Sequence, residues 1–216
     1  MSFDLVIFDC DGVLVDSERL TVVVEARMLT ELGWPHTPED VVARFMGRSS
    51  EAMLTELEAH LGPAKTRWFD EQSTTEVHAA FDRELVAVPG VRELIDALTK
   101  GGVAMCVASS GSHARMRKTL GLTSLFADFE GRIFSATEVE RGKPAPDLFL
   151  FAAAVMGVDP TRTAVVEDSV YGVRAAVAAG MTAYGFSGGL SAADALADAG
   201  GIVFDQMTEV LGLLAR

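Results

Sequence analysis

The chain has 216 residues, 49% of them hydrophobic and 23% charged, with a formal net charge of -13. That length buries a substantial core and suits one large domain or a core carrying an insert. The negative balance argues against a nucleic-acid binder, which needs a basic stripe; no uninterrupted apolar run approaches the roughly 18 residues of a membrane span; and Asp4 stands where a signal peptide carries basic residues, so a soluble cytoplasmic protein is expected.

The first segment, Phe3 to Phe8, is apolar apart from Asp4 and shows no alternation. Such a run fits a strand buried on both faces of a parallel sheet. It leads directly into Asp9-Cys10-Asp11-Gly12. Side chains two apart on extended chain project the same way, so Asp9 and Asp11 can face one reacting group beyond the carboxyl end of the strand, where ligands of such sheets bind. Asp9 is the candidate nucleophile and Asp11 the candidate acid/base. As mere caps of a turn the two carboxylates would repel each other unless a cation lay between them.

A long helical stretch follows, without strand signals. One helix runs from about Leu20 to Leu32 and stops at Gly33; Pro38 opens a second that reaches Phe45. Ser49-Ser50-Glu51 opens a third that ends near Gly62, and a fourth spans about Trp68 to Leu85 before the Pro89-Gly90 turn. Beyond that turn strand and helix alternate. Strands are predicted at Val103–Ala108, Arg132–Ser135, Thr163–Glu167, Thr182–Phe186 and, at an edge, Ile202–Phe204. Helices are predicted at Val91–Lys100, Asp147–Met156 and Val170–Ala179, with another near His113. The fold class is therefore α/β, a Rossmann-like doubly wound parallel sheet formed by residues 1–15 and 89–216, with a helical cap inserted at 16–88.

Chemistry-bearing residues gather at the ends of the predicted strands. Ser109-Ser110-Gly111 offers a hydroxyl and backbone N-H groups to phosphate oxygens. Glu167-Asp168 offers carboxylates to a hard cation such as magnesium. An acidic chain repels a phosphate ester unless the site carries local positive charge, which Lys143 and a metal ion would provide.

In this order, Asp9-Cys10-Asp11-Gly12, Ser109, Lys143-Pro144 and Glu167-Asp168 resemble the haloacid dehalogenase superfamily, in particular its capped phosphatases and phosphoglucomutase-like members, over nearly the whole chain. The resemblance implies a phosphoric monoester hydrolase that forms an aspartyl-phosphate on Asp9, with Asp11 serving as acid and then base. It implies Mg2+ held by Asp9, the Asp11 backbone carbonyl, Asp168 and Glu167, directly or through water. Ser109 and Lys143 would hold the non-transferred oxygens, assisted by Ser110 and Gly111. Gly47 and Arg48 match the loop of the cap that selects substrate. β-Phosphoglucomutases carry a Lys before this glycine and an Arg three after it, whereas this chain has Met46 and Ser50, which favours hydrolysis over the mutase alternative.

The expected partner is a small phosphorylated metabolite, a sugar or sugar-acid phosphate of the kind taken by 6-phosphogluconate phosphatases, acting on a monomer or weak homodimer. The alternative from another class is a non-catalytic regulator that binds a phosphorylated ligand. Cys10 and Cys106 are expected to be reduced and structural, His36, His60 and His78 to have surface or satisfied roles, and His113 to stand nearest the chemistry.

Overall fold

The computed structural model describes residues 3–45 and 50–214. Its contacts separate two units, one formed by the chain up to Asp16 and again from Val86 onward, the other by Ser17–Leu85.

The first unit is built on a parallel sheet of β1 (Leu5–Phe8), β2 (Ala104–Ser109), β3 (Ile133–Ser135), β4 (Thr163–Glu167), β5 (Thr182–Phe186) and β6 (Ile202–Phe204). The strand order is β3-β2-β1-β4-β5-β6. Every β1 side chain is fully buried, as its apolar run requires of a strand covered on both faces. Leu5 and Ile7 face one layer with Cys106, Ala108 and Val165, packing on Phe149 and Ala152 of α8 (Asp147–Met156) and Val173 of α9 (Val170–Ala178). Phe8 turns to the other layer, edge-on to Phe129 of the short α7 (Phe126–Phe129).

The order of strands reverses at β1. Its neighbours are β2 on one side, with Phe8 opposite Val107, and β4 on the other, with Phe8 opposite Val166. A topological switch of this kind opens a crevice beyond the strand ends. Asp9, Ser109 and Glu167 stand at those ends. After Asp9 the backbone folds back on itself, Gly12 N-H donating to Val15 O at 2.8 Å, and the outgoing and returning segments pair through Asp16 N-H to Val86 O and Val88 N-H to Leu14 O.

The second unit contains α1 (Ser17–Glu31), α2 (Pro38–Phe45), α3 (Ser50–Leu61) and α4 (Pro63–Glu84). Helix α4 starts at Pro63, earlier than the sequence pattern places it, because proline at a first helical position gives up no hydrogen bond there. Trp34, after α1, stacks on His60 with ring centroids 4.2 Å apart and carries the Arg44 guanidinium 4.9 Å over its face. His60 is thereby engaged within this unit.

Other boundaries shift by a residue or two: β1 begins at Leu5 and β2 runs one residue further, to Ser109. The helix near His113 is α6 (His113–Leu122), capped by Ser112 Oγ accepting from Arg115 N-H. The pattern gave no sign of α10 (Ala193–Asp198) or α11 (Val210–Leu214), which are only 6 and 5 residues long. The helix Val91–Lys100, here α5, is present as predicted. Among the described residues no helix is long and apolar enough to cross a membrane.

Candidate active site

Asp9 continues β1, its N-H donating to Val166 O at 3.0 Å, so its carboxylate is fixed at the switch point. Only 7% of the residue is exposed. Burial pushes the Asp9 carboxyl up, and the neighbouring Lys143 ammonium opposes that rise. Lys143 Nζ donates to Asp9 Oδ1 at 2.6 Å and to Glu167 Oε1 at 2.5 Å. Burial works against the ammonium, but the two carboxylates outweigh it and hold Lys143 protonated. Its charged end also lies 4.9 Å over the Phe149 ring, which links the site to the core.

Glu167 and Asp168 are both buried but do different things. Glu167 Oε2 accepts from Ser169 N-H at 2.8 Å and from Ser169 Oγ-H at 2.9 Å. Together with Lys143 on the other oxygen, this engages both of its carboxylate oxygens. A Cβ on Gly172 would sit 1.8 Å from Glu167 Oε1, so the start of α9 must carry glycine there to let the carboxylate in. Asp168 faces the opposite way. Its Oδ2 lies where a Cβ on Gly12 would be, 2.0 Å away, and Gly12 has φ 81°, a left-handed backbone that suits glycine. The glycine after the two aspartates thus admits the Asp168 carboxylate to the loop.

Ser109 is buried, and its Oγ accepts from Gly111 N-H at 3.1 Å, which leaves the hydroxyl proton to donate elsewhere. Gly111 O accepts from the fully buried Ser135 Oγ-H at 2.8 Å, so the turn is held from both sides. Ser110 is exposed. His113 pairs through Nε2 with Glu138 Oε2 at 2.9 Å on the outside of the unit. Asp11 is gripped by Arg115, whose Nε donates to Oδ2 at 3.1 Å and Nη2 to Oδ1 at 3.0 Å.

Asp9, Lys143 and Glu167 therefore meet directly, and Asp168 packs against Gly12 of the same loop. Gly47 and Arg48 lie outside the described residues. Sequence reasoning passed over Arg115, Ser135, Ser169 and Gly172. The serine at the Ser112 helix cap with an arginine three residues on was the available sign of Arg115, since that position points back over the helix start.

A hard cation fits this donor set. Asp9 and Asp168 supply carboxylates, and the close approach of Asp168 to Gly12 puts it against the loop that carries the Asp11 carbonyl. Among the described residues no three His, Cys, Asp or Glu side chains form a metal cluster. Two carboxylates and one backbone carbonyl are oxygen donors of the kind a hard cation takes.

Residues 3–180 match the family model described as haloacid dehalogenase-like hydrolase. The chain is 35% identical over 185 residues to a 6-phosphogluconate phosphatase of Escherichia coli (strain K12), covering 85% of this chain and 82% of that one. A conserved haloacid dehalogenase-like protein of unknown function from Agrobacterium tumefaciens str. C58 superposes with a TM-score of 0.89 at 38% identity, over 99% of this chain and 98% of that one. A hydrolase of the same family from Deinococcus radiodurans R1, solved with bound phosphate and sodium, gives a TM-score of 0.87 at 32% identity over 99% and 96%.

Proposed function

The chain belongs to the haloacid dehalogenase-like hydrolases, and on that premise we propose that it is a magnesium-dependent phosphatase that hydrolyses a small sugar or sugar-acid phosphate through an aspartyl-phosphate on Asp9. The observation that carries this reading is the buried Lys143 ammonium bridging Asp9 and Glu167. A lysine held at the nucleophile neutralises an incoming phosphoryl group, which two acidic neighbours alone would repel.

Asp9 attacks phosphorus with the carboxylate oxygen that Lys143 does not hold, and the bond from phosphorus to the ester oxygen breaks. Asp11 gives its proton to that oxygen as it leaves. Asp11 then takes a proton from a water that attacks the phosphorus, releasing inorganic phosphate and restoring Asp9. Lys143 and the Ser109 hydroxyl hold the non-transferred oxygens as charge spreads over them. Glu167, expected from the sequence as a metal ligand, is assigned here to holding Lys143, because both its oxygens are already engaged. Mg2+ bound by Asp9, the Asp11 carbonyl and Asp168 would neutralise the charge between nucleophile and phosphate. The substrate class is supported by the 6-phosphogluconate phosphatase relative.

The test is release of inorganic phosphate from a panel of sugar, polyol and sugar-acid phosphates, with and without magnesium, and with Asp9→Asn as control. Magnesium-dependent release that the Asn variant loses supports the phosphatase. An isomeric phosphate ester without free phosphate would make the enzyme a mutase. Binding without turnover across the panel would make it a regulator.

A further inference from the structure

We propose that Arg115 is a positioning residue that aims Asp11 at the leaving group, a role that rests on the reading of Asp11 as the acid/base. Asp11 lies past the end of β1, its backbone bridged to Val15. Arg115 constrains its carboxylate. Its guanidinium grips both carboxylate oxygens in a fork, at 3.0 and 3.1 Å, which fixes the direction of the carboxyl plane as a single contact would not.

The fork is itself held on a rigid support. Arg115 is the third residue of α6, its N-H donating to the Ser112 cap at 3.3 Å and its carbonyl accepting from Thr119 Oγ1-H at 3.2 Å. Thr119 Oγ1 lies 3.8 Å from the buried Cys10 Sγ, between the two aspartates, so α6 meets the nucleophile loop at two places. The position a Cβ would take on Gly111 lies 3.5 Å from Arg115 Cδ, 3.5 Å from Ser109 Oγ and 3.6 Å from Asp11 Oδ2. Arg115 thus passes beside the phosphate turn and places Asp11 on the same side of it as the Ser109 hydroxyl. To pass a proton, Asp11 releases one oxygen from the fork while the other keeps it aimed.

The test compares two leaving groups under single turnover, with enzyme in excess so that release of the leaving group reports transfer to Asp9 alone. One is the best alkyl phosphate of the panel, whose alkoxide needs a proton; the other is 4-nitrophenyl phosphate, whose phenolate does not. Arg115→Met is expected to slow alkyl release by about tenfold or more and nitrophenolate release by less than about threefold, with Arg115→Lys in between. Combined with Asp11→Asn, Arg115→Met is expected to add no further loss on the alkyl ester. Equal losses on both esters, or losses that multiply in the double variant, overturn the proposal. If Asp11→Asn itself shows no difference between the esters, the reading of Asp11 fails instead. Thermal unfolding checks each variant, and Arg115→Lys, which keeps charge and stem, carries the comparison if the methionine variant does not fold.

Discussion

Gly12 and Asp168 compete for one space: the Cβ that any other residue would bring to position 12 would lie 2.0 Å from Asp168 Oδ2. The glycine after the two aspartates is therefore required by a carboxylate far away in sequence as well as by its own φ of 81°.

Gly12→Ala is expected to displace Asp168 and to strain the backbone, at about 1–2 kcal/mol for the left-handed conformation alone. Because Asp168 is assigned to the cation, half-saturating magnesium should rise about tenfold or more. Phosphate release titrated with magnesium measures this, and an unchanged titration would remove Asp168 from the metal.

Replacing Glu167 tests the clamp on Lys143. Glu167→Ala leaves a buried ammonium with one carboxylate, and breaking a buried pair in this way costs about 3–5 kcal/mol. Glu167→Gln keeps an acceptor and should cost less. Urea unfolding gives the stability change. If Glu167 were instead a direct ligand, magnesium affinity would fall further than stability.

Glu25, on α1 of the second unit, provides a separate pH signature. Burial raises its carboxyl from 4.5 to about 7. The folded chain then binds more protons than the unfolded chain between those values, so its contribution is present below about 4.5 and is lost as pH rises through about 7. Glu25→Gln should raise the thermal midpoint by a few degrees at pH 8 and leave it nearly unchanged at pH 4.5. A pH-independent shift would mean that the wild-type carboxyl is not held up by burial.

Both cysteines are free, buried and made less acidic by burial, Cys106 to about 12 and Cys10 well above its ordinary value. The native protein should react with an aromatic disulfide reagent only at the rate at which the core opens. Fast labelling in the folded state would contradict the burial of the β1 end, for Cys10, or of β2, for Cys106.

The sheet was legible because its strands announce themselves: Thr163–Glu167 and Thr182–Phe186 are apolar runs between clear breaks, and both fall where predicted. Helices α10 and α11 were not, since a turn or two with few buried side chains has no period to detect. That Asp9, Ser109 and Glu167 stand at neighbouring strand ends follows from parallel pairing and could be expected from sequence. The division of labour between Glu167 and Asp168 could not. Adjacent residues at a strand end point to opposite faces, and only the positions of Gly172 and Gly12 reveal which pocket takes which carboxylate. Arg115 reaches Asp11 through the length and torsions of its side chain, which no spacing rule encodes.

The strand order also dictates when during synthesis this chain acquires its chemistry. β1 leaves the ribosome first, yet it is completed on one side only when β2 arrives and on the other only when β4 follows, with Leu5 pairing first to Ala104 and then to Thr163. Such distant pairings make assembly slow. Asp9 is consequently flanked on both sides only once β4 has paired, and any fragment ending before Glu167 is expected to be catalytically silent, because Lys143 then lacks one of the two carboxylates that hold it.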